Sequence, residues 1–204
     1  MSKIINIALG VVGAALLIGV GFLIYFHFHP KPPSTELGIS YQRWSDAVST
    51  NPDDSFSRAN LAKTLLQMGN TDRAIQEFKT AIDQQPKNFE YMFQLGLAYV
   101  QAKDNANALD QFKQAADLAP AGSKYNYQFE AAQTAFNMGD LQTALTYVQA
   151  SIKDSDVLWN SHYLLGQIYE KQGNKAQAKQ EYQAAEKFVP GDQDLEAALK
   201  RVSG

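Results

Sequence analysis

The sequence predicts an all-α protein, an α-solenoid of repeated helix pairs preceded by one membrane-spanning helix. Three observations predict it. No charged residue occurs between Lys3 and Lys31, so the chain opens on a long apolar run. Past residue 36 one pattern with helical spacing returns four times at nearly constant intervals. The 204 residues include no cysteine, which excludes disulfides, thiolate metal sites and a cysteine nucleophile, and leaves packing of helices to hold the fold. A net charge of −3 gives no general attraction for nucleic acid, so no nucleic-acid partner is expected.

The apolar run IINIALGVVGAALLIGVGFLIYF spans residues 4–26, after a tail of residues 1–3, and Asn6 is its only strongly polar side chain. As a helix it is about 34 Å long, against a hydrocarbon core of about 30 Å. Tyr25, His27, Phe28 and His29 stand where an interfacial belt belongs. A cleaved signal peptide is the competing reading, but the run is longer than a signal core and no small-x-small site follows it. A buried core helix would carry a polar face, and this run has none. Lys3 and the α-amino group outweigh the other flank, where only Lys31 precedes Arg43. The positive-inside rule therefore favours a cytoplasmic N-terminus and an exported domain in an inner or cytoplasmic membrane, with a thylakoid or cytoplasm-facing placement as the alternative. Gly10 with Ala14, and Ala15 with Gly19, let helices approach in lipid, so a homo-oligomer through the span stays open.

Residues 27–35 form a linker. Pro30, Pro32 and Pro33 forbid helix and favour a stiff, extended spacer. His27 and His29 lack a third ligand nearby, so no metal site is expected there.

The repeat is visible in MGNTDRAIQEFKTAIDQQP, from Met68, and QGNKAQAKQEYQAAEKFVP, from Gln172. Ala74, Ala108, Ala144 and Ala178 recur at intervals of 34, 36 and 34, the longer one following two extra residues in the AGSK segment. Ala62, Gly96, Ala132 and Gly166 keep the same phase, as do Phe78, Phe112, Val148 and Tyr182. Pro86, Pro120 and Pro190 close three of the units. Each unit reads as two helices. Gly69, Gly139 and Gly173 suit the left-handed residue ending the first helix, with Asn70 or Thr71, and Asn174, capping the second. Lys103-Asp104-Asn105 does the same work without glycine. The small residues predict close crossings, with Ala62 or Gly96 against Ala74 or Ala108, and Leu65, Tyr99 and Tyr169 filling the space beside them. A stack of such pairs shares one core and needs capped ends. A helix at 36–50, with Tyr41, Trp44, Ala47 and Val48 inward, covers one end. A helix at 193–202, apolar through Leu195, Leu199 and Val202, covers the other.

On these residues the units resemble tetratricopeptide repeats (TPRs), at 55–88, 89–122, 125–158 and 159–192. The third departs most, with Ala135 in the large position and no closing proline. The resemblance implies a right-handed solenoid of four helix pairs whose first helices line a concave groove holding a peptide or helix. By that phase the groove residues are Ala59, Lys63, Leu66, Phe93, Leu97, Val100, Phe129, Gln133, Phe136, Tyr163, Gln167 and Glu170, with Asn137 beside them. Ala59, Phe93, Phe129 and Tyr163 read as one row, an aromatic ladder with neutral amides beside it; packing between units is the alternative role for its rings. Some TPR domains grip acidic chaperone tails through basic residues. The matching places here are Ala59, Lys63, Gln94, Asn126 and Glu130, only one of them basic, so that activity is not expected.

No catalytic constellation emerges. The glycines of GVVGAALLIGVG lie in the span, where they cannot cradle phosphate. His162 falls at the phase of Arg58, Met92 and Gln128, a packing or surface position. The chain is therefore expected to be no enzyme and to need no cofactor or metal. It resembles single-pass, membrane-anchored TPR proteins, including bacterial inner-membrane proteins of secretion and cytochrome maturation and photosystem assembly proteins. The expectation is an adaptor or scaffold binding a protein partner or peptide at a membrane complex. The alternatives are a permanent structural subunit held mainly by its membrane helix, or an array associating through its repeats.

Overall fold

The computed structural model describes residues 35–155 and 158–204. The expected tail 1–3, the expected membrane span 4–26 and the expected linker up to residue 34 lie outside them. Among the described residues there is no strand, and no helix is long and apolar enough to cross a membrane.

Among the described residues ten helices follow in order: α1 Glu36–Thr50, α2 Ser55–Gln67, α3 Thr71–Gln84, α4 Phe89–Gln101, α5 Asn105–Leu118, α6 Tyr125–Asn137, α7 Leu141–Asp154, α8 Trp159–Lys171, α9 Lys175–Glu186 and α10 Gln193–Val202. By packing the chain divides into residues 1–43 and 44–204. The helical stack is the second unit; in the first, the described residues form the start of α1.

Local chemistry sets the helix ends. At the close of α2 the Gly69 amide donates to Leu66 O and that of Asn70 to Leu65 O, and the same pair of bonds recurs at Gly139 and Gly173. This is the Schellman ending, which needs a left-handed residue. The glycines supply it at φ of 78°, 81° and 78°. In the second turn Lys103 takes that role at φ 62°, with its amide bonded to Val100 O and that of Asp104 to Tyr99 O. A β-carbon in the left-handed region costs about 1 kcal/mol. Lys103→Gly is therefore expected to raise stability by about 0.5–1 kcal/mol, read as a higher denaturation midpoint with an unchanged slope.

Asp104, Asp140 and Asn174 cap α5, α7 and α9 through side-chain oxygens, whereas Asn70 precedes α3 with no such bond. The helix α6 has no cap of its own: Lys124 precedes it, and the carboxylate of Asp154 accepts from Gly122 N and Tyr125 N at 3.0 Å each. This bond holds the loop with two extra residues. Beside it Ser151, in the place of Ala81, Ala115 and Ala185, donates to Tyr125 O at 2.9 Å and meets the buried Ser161 hydroxyl at 3.1 Å.

The core runs along the stack. A first cluster joins Ala62, Phe78, Leu95 and Phe112; a second joins Ala132, Val148, Leu164 and Ile168; a third joins Tyr182, Leu195 and Val202. Leu109 and Tyr147 pack on both the first and second, and Tyr169 on the second and third, so the core is continuous. Trp44 meets Phe56 edge-on at 5.9 Å, and α10 buries Leu195, Ala198 and Val202 while Leu199 is half-buried.

The small residues of the first helices also face a ring. A β-carbon at Gly96 would stand 2.5 Å from the Phe112 ring, and one at Gly166 2.4 Å from the Tyr182 ring. The small residue seats an aromatic ring of the second helix. The alanines are fully buried in their own right.

Candidate partner-binding face

The first helices of the pairs, α2, α4, α6 and α8, carry the expected groove residues. Lys63 is exposed and Val100 is 41% exposed. Leu66, Phe93, Leu97, Phe129, Gln133, Phe136, Tyr163 and Gln167 are all half-buried. Half-burial is what a lining position needs: one side of the ring is braced and the other is open.

The bracing differs between rungs. The Phe93 ring stands edge-on to Tyr127 at 5.1 Å and tilts over Phe112 at 5.7 Å. Tyr163 lies over Tyr182 at 5.6 Å, with Trp159 at 6.4 Å. Phe129 and Phe136 pack on the second cluster. Among the described residues no ring pair joins Phe93 to Phe129, or Phe129 to Tyr163. The row is thus a set of separate rungs wedged between helices. Ala59, its first member, is 2% exposed and belongs to the core, because its methyl is too short to reach the surface.

Polar groups flank the rungs. Gln133 Nε2 donates to Asn137 Oδ1 at 3.2 Å. The Tyr127 hydroxyl donates to Glu90 at 2.5 Å, and burial and this carboxylate push its phenol up from the ordinary range. Glu130 is half-buried on α6, and burial pushes its carboxyl up from the usual carboxylate range.

At the far end of the face lies a cavity of about 290 Å³, lined by Phe136, Gln167, Glu170, Lys171 and Arg201. Three come from the expected groove, and α10 adds Arg201. Glu170 accepts from Arg201 Nε at 3.0 Å, Arg201 Nη2 at 3.2 Å and the Tyr182 hydroxyl at 2.7 Å. The bonds from Arg201 hold its carboxyl below the usual range, while burial and Glu170 push the Tyr182 phenol up. The bidentate fork fixes the guanidinium in place.

Sequence reading missed Lys171 and Arg201 as lining residues. Arg201 meets Glu170 from 31 residues away in the sequence. Sequence reading missed a second recurrence as well. Arg58 Nη1 pairs with Glu77 at 2.7 Å, and His162 Nδ1 with Glu181 at 2.8 Å, at the same phase in the first and fourth pairs. A comparison of the second helices would have found it, since Glu77 and Glu181 align as their partners do.

A family model described as Tetratricopeptide repeat matches residues 60–123 and 129–193, well over half of the chain. No curated protein matches it. Among solved structures, it is similar to MamA protein at 20% identity, over 72% of this chain and 80% of that one, with a TM-score of 0.69. It is similar to YrrB, described as a TPR protein with an unusual peptide-binding site, at 18% identity over 78% and 81%, with a TM-score of 0.67. It is also similar to pilF of Pseudomonas aeruginosa, at 14% identity over 94% and 82%, with a TM-score of 0.72. At these identities the likeness establishes the fold.

Proposed function

The chain belongs to the tetratricopeptide repeat family, and from that premise we propose that it is an adaptor anchored in a membrane by residues 4–26. It holds a protein partner or peptide along α2, α4, α6 and α8 and supports assembly or recruitment at a membrane complex. The observation that carries the reading is the run of half-buried apolar residues on successive first helices, Leu66, Leu97, Phe93, Phe129 and Phe136, with open edges and amides beside them. Exposed apolar surface in a row is costly to keep unless a partner covers it. The peptide-binding site in the description of YrrB supports the same use of the fold. The charge-free run of residues 4–26 supports the anchor. In this reading the domain binds and does not catalyse.

The test must avoid the braced rings, since Phe93→Ala or Tyr163→Ala would disturb core partners. Val100→Asp and Lys63→Glu change exposed side chains. Full-length protein carrying both changes is expected to lose its partner in crosslinking from membranes, with an unchanged melting temperature. Retention of the partner by this variant would overturn the groove. Loss only on replacing residues 4–26 with an unrelated span would favour a structural subunit held by its anchor.

A further inference from the structure

We propose that the edge of the stack where successive pairs join rests on the interfacial region of the bilayer, with Phe56, Leu118, Trp159 and Phe188 as the side chains that enter it. This rests on the anchor at residues 4–26 proposed above and adds a second membrane contact, made by the repeats themselves.

The helices alternate in direction, so the starts of the first helices and the ends of the second helices share one edge. Two bonds tie it together. Gln84, the last residue of α3, donates to Pro52 O ahead of α2 at 2.9 Å, and Asp154, the last of α7, accepts from Tyr125 N at the start of α6. Phe56 is the second residue of α2, Leu118 the last of α5 and Trp159 the first of α8, and Phe188 follows the end of α9. All four are between 39% and 60% exposed. Phe56, Trp159 and Phe188 are the exposed aromatic rings among the described residues, and all of them stand on this edge. Pro86, Pro120 and Pro190 are exposed in its loops and add apolar surface with no backbone N–H to desolvate.

Tether length and composition select the occupant. Residues 27–35 reach at most about 32 Å, and the helical residues from Glu36 to Arg43 add about 12 Å. Trp44 therefore stays within about 45 Å of the end of the span. A tether of this kind gives effective concentrations on the order of millimolar, so a surface of low intrinsic affinity suffices. Aromatic rings favour the boundary between headgroups and acyl chains. The exposed charges of the edge are of both signs, Lys87 and Lys187 with Asp53 and Asp117. Apolar burial therefore drives the contact, and attraction to anionic lipid does not. Leu66 and Val100 stand near the other ends of α2 and α4, so the groove stays open while the edge is docked.

The chain has two tryptophans, so Trp44→Phe leaves Trp159 as a single reporter on the edge. The full-length chain with that change is reconstituted in phosphatidylcholine vesicles with and without brominated acyl chains. Brominated lipid is expected to quench Trp159, to the same extent after addition of salt or anionic lipid. Leu118→Ser with Phe188→Ser is expected to lower the ratio of docked to undocked chain about tenfold, read as loss of most of the quenching at an unchanged melting temperature. Met68→Ser with Met138→Ser changes exposed apolar side chains at the opposite turns and is expected to leave the quenching as it was. Trp159 unquenched in vesicle-bound chain, or quenched regardless of Leu118 and Phe188, would overturn the edge contact and leave the anchor standing. An unquenched Trp159 together with altered crosslinking of the Leu118 and Phe188 variant to another chain would overturn it as well, and would assign the edge to a protein. A chain that fails to float with the vesicles would overturn both the anchor and the edge.

Discussion

Tyr182→Ala is expected to cost about 3–5 kcal/mol. Tyr182 is fully buried at the junction of the last pair with α10. Its ring seats on Gly166 and lies under Tyr163, and its hydroxyl holds Glu170. Removing it leaves a void with no neighbour positioned to fill it, takes the support from Tyr163, and deprives the Glu170–Arg201 pair of its third member. Tyr182→Phe separates the parts: it keeps the ring and deletes one bond to a charged group, at about 1.5–3 kcal/mol. The distribution of the loss is as informative as its size. In an array where each repeat touches only its neighbours, stability is a sum of local terms. Amide exchange should therefore show α8, α9 and α10 losing protection first, with α2 to α5 retaining theirs. Uniform loss along the chain would show that the stack unfolds as a single cooperative block.

Gly96→Leu is expected to destabilise by roughly 1–3 kcal/mol through overpacking. The position is helical, so leucine improves the local propensity, and the loss is purely steric. A β-carbon alone stands 2.5 Å from Cε1 and 2.7 Å from Cδ1 of Phe112, a ring with no exposed surface and no room to turn. The first pair combines Ala62 with Phe78, so one methyl beside a phenyl is tolerable where the helices sit accordingly; the larger side chain is not. The third pair combines Ala132 with Val148, and it supplies the rescue. Gly96→Ala should be destabilising alone and recover most of the loss with Phe112→Val, a coupling that a double-mutant cycle measures directly. A melting temperature unmoved by Gly96→Leu would show that this helix is assigned to the wrong phase.

What recurs in the chain was legible, and what happens once was not. Gly69, Gly139 and Gly173 announced the turns, and Lys103 was placed in the same role by alignment although its residue type argues against it. The contacts specific to one pair escaped: Arg201 with Glu170, Tyr127 with Glu90 and Ser151 with Tyr125 are separated by 31, 37 and 26 residues. Each joins side chains whose types do not recur together in the other pairs, so periodicity carries no trace of it. The aromatic row shows a subtler limit. Spacing put Phe93, Phe129 and Tyr163 at one phase, yet that phase borders both the open face and the wedge between helices. Which side a ring leans on depends on neighbours such as Tyr127 and Tyr182, which the phase does not reveal.

The Asp154 carboxylate, bonded to Gly122 N and Tyr125 N, has a consequence for how such a chain tolerates change. It pins the second half of the connection between α5 and α6, which is longer than the one between α3 and α4. Additional residues between Pro120 and Gly122 can bulge outward there while Tyr125 starts its helix at the same place. The stack carries an expansion joint, and slack gathered at it never reaches the register of the bricks on either side.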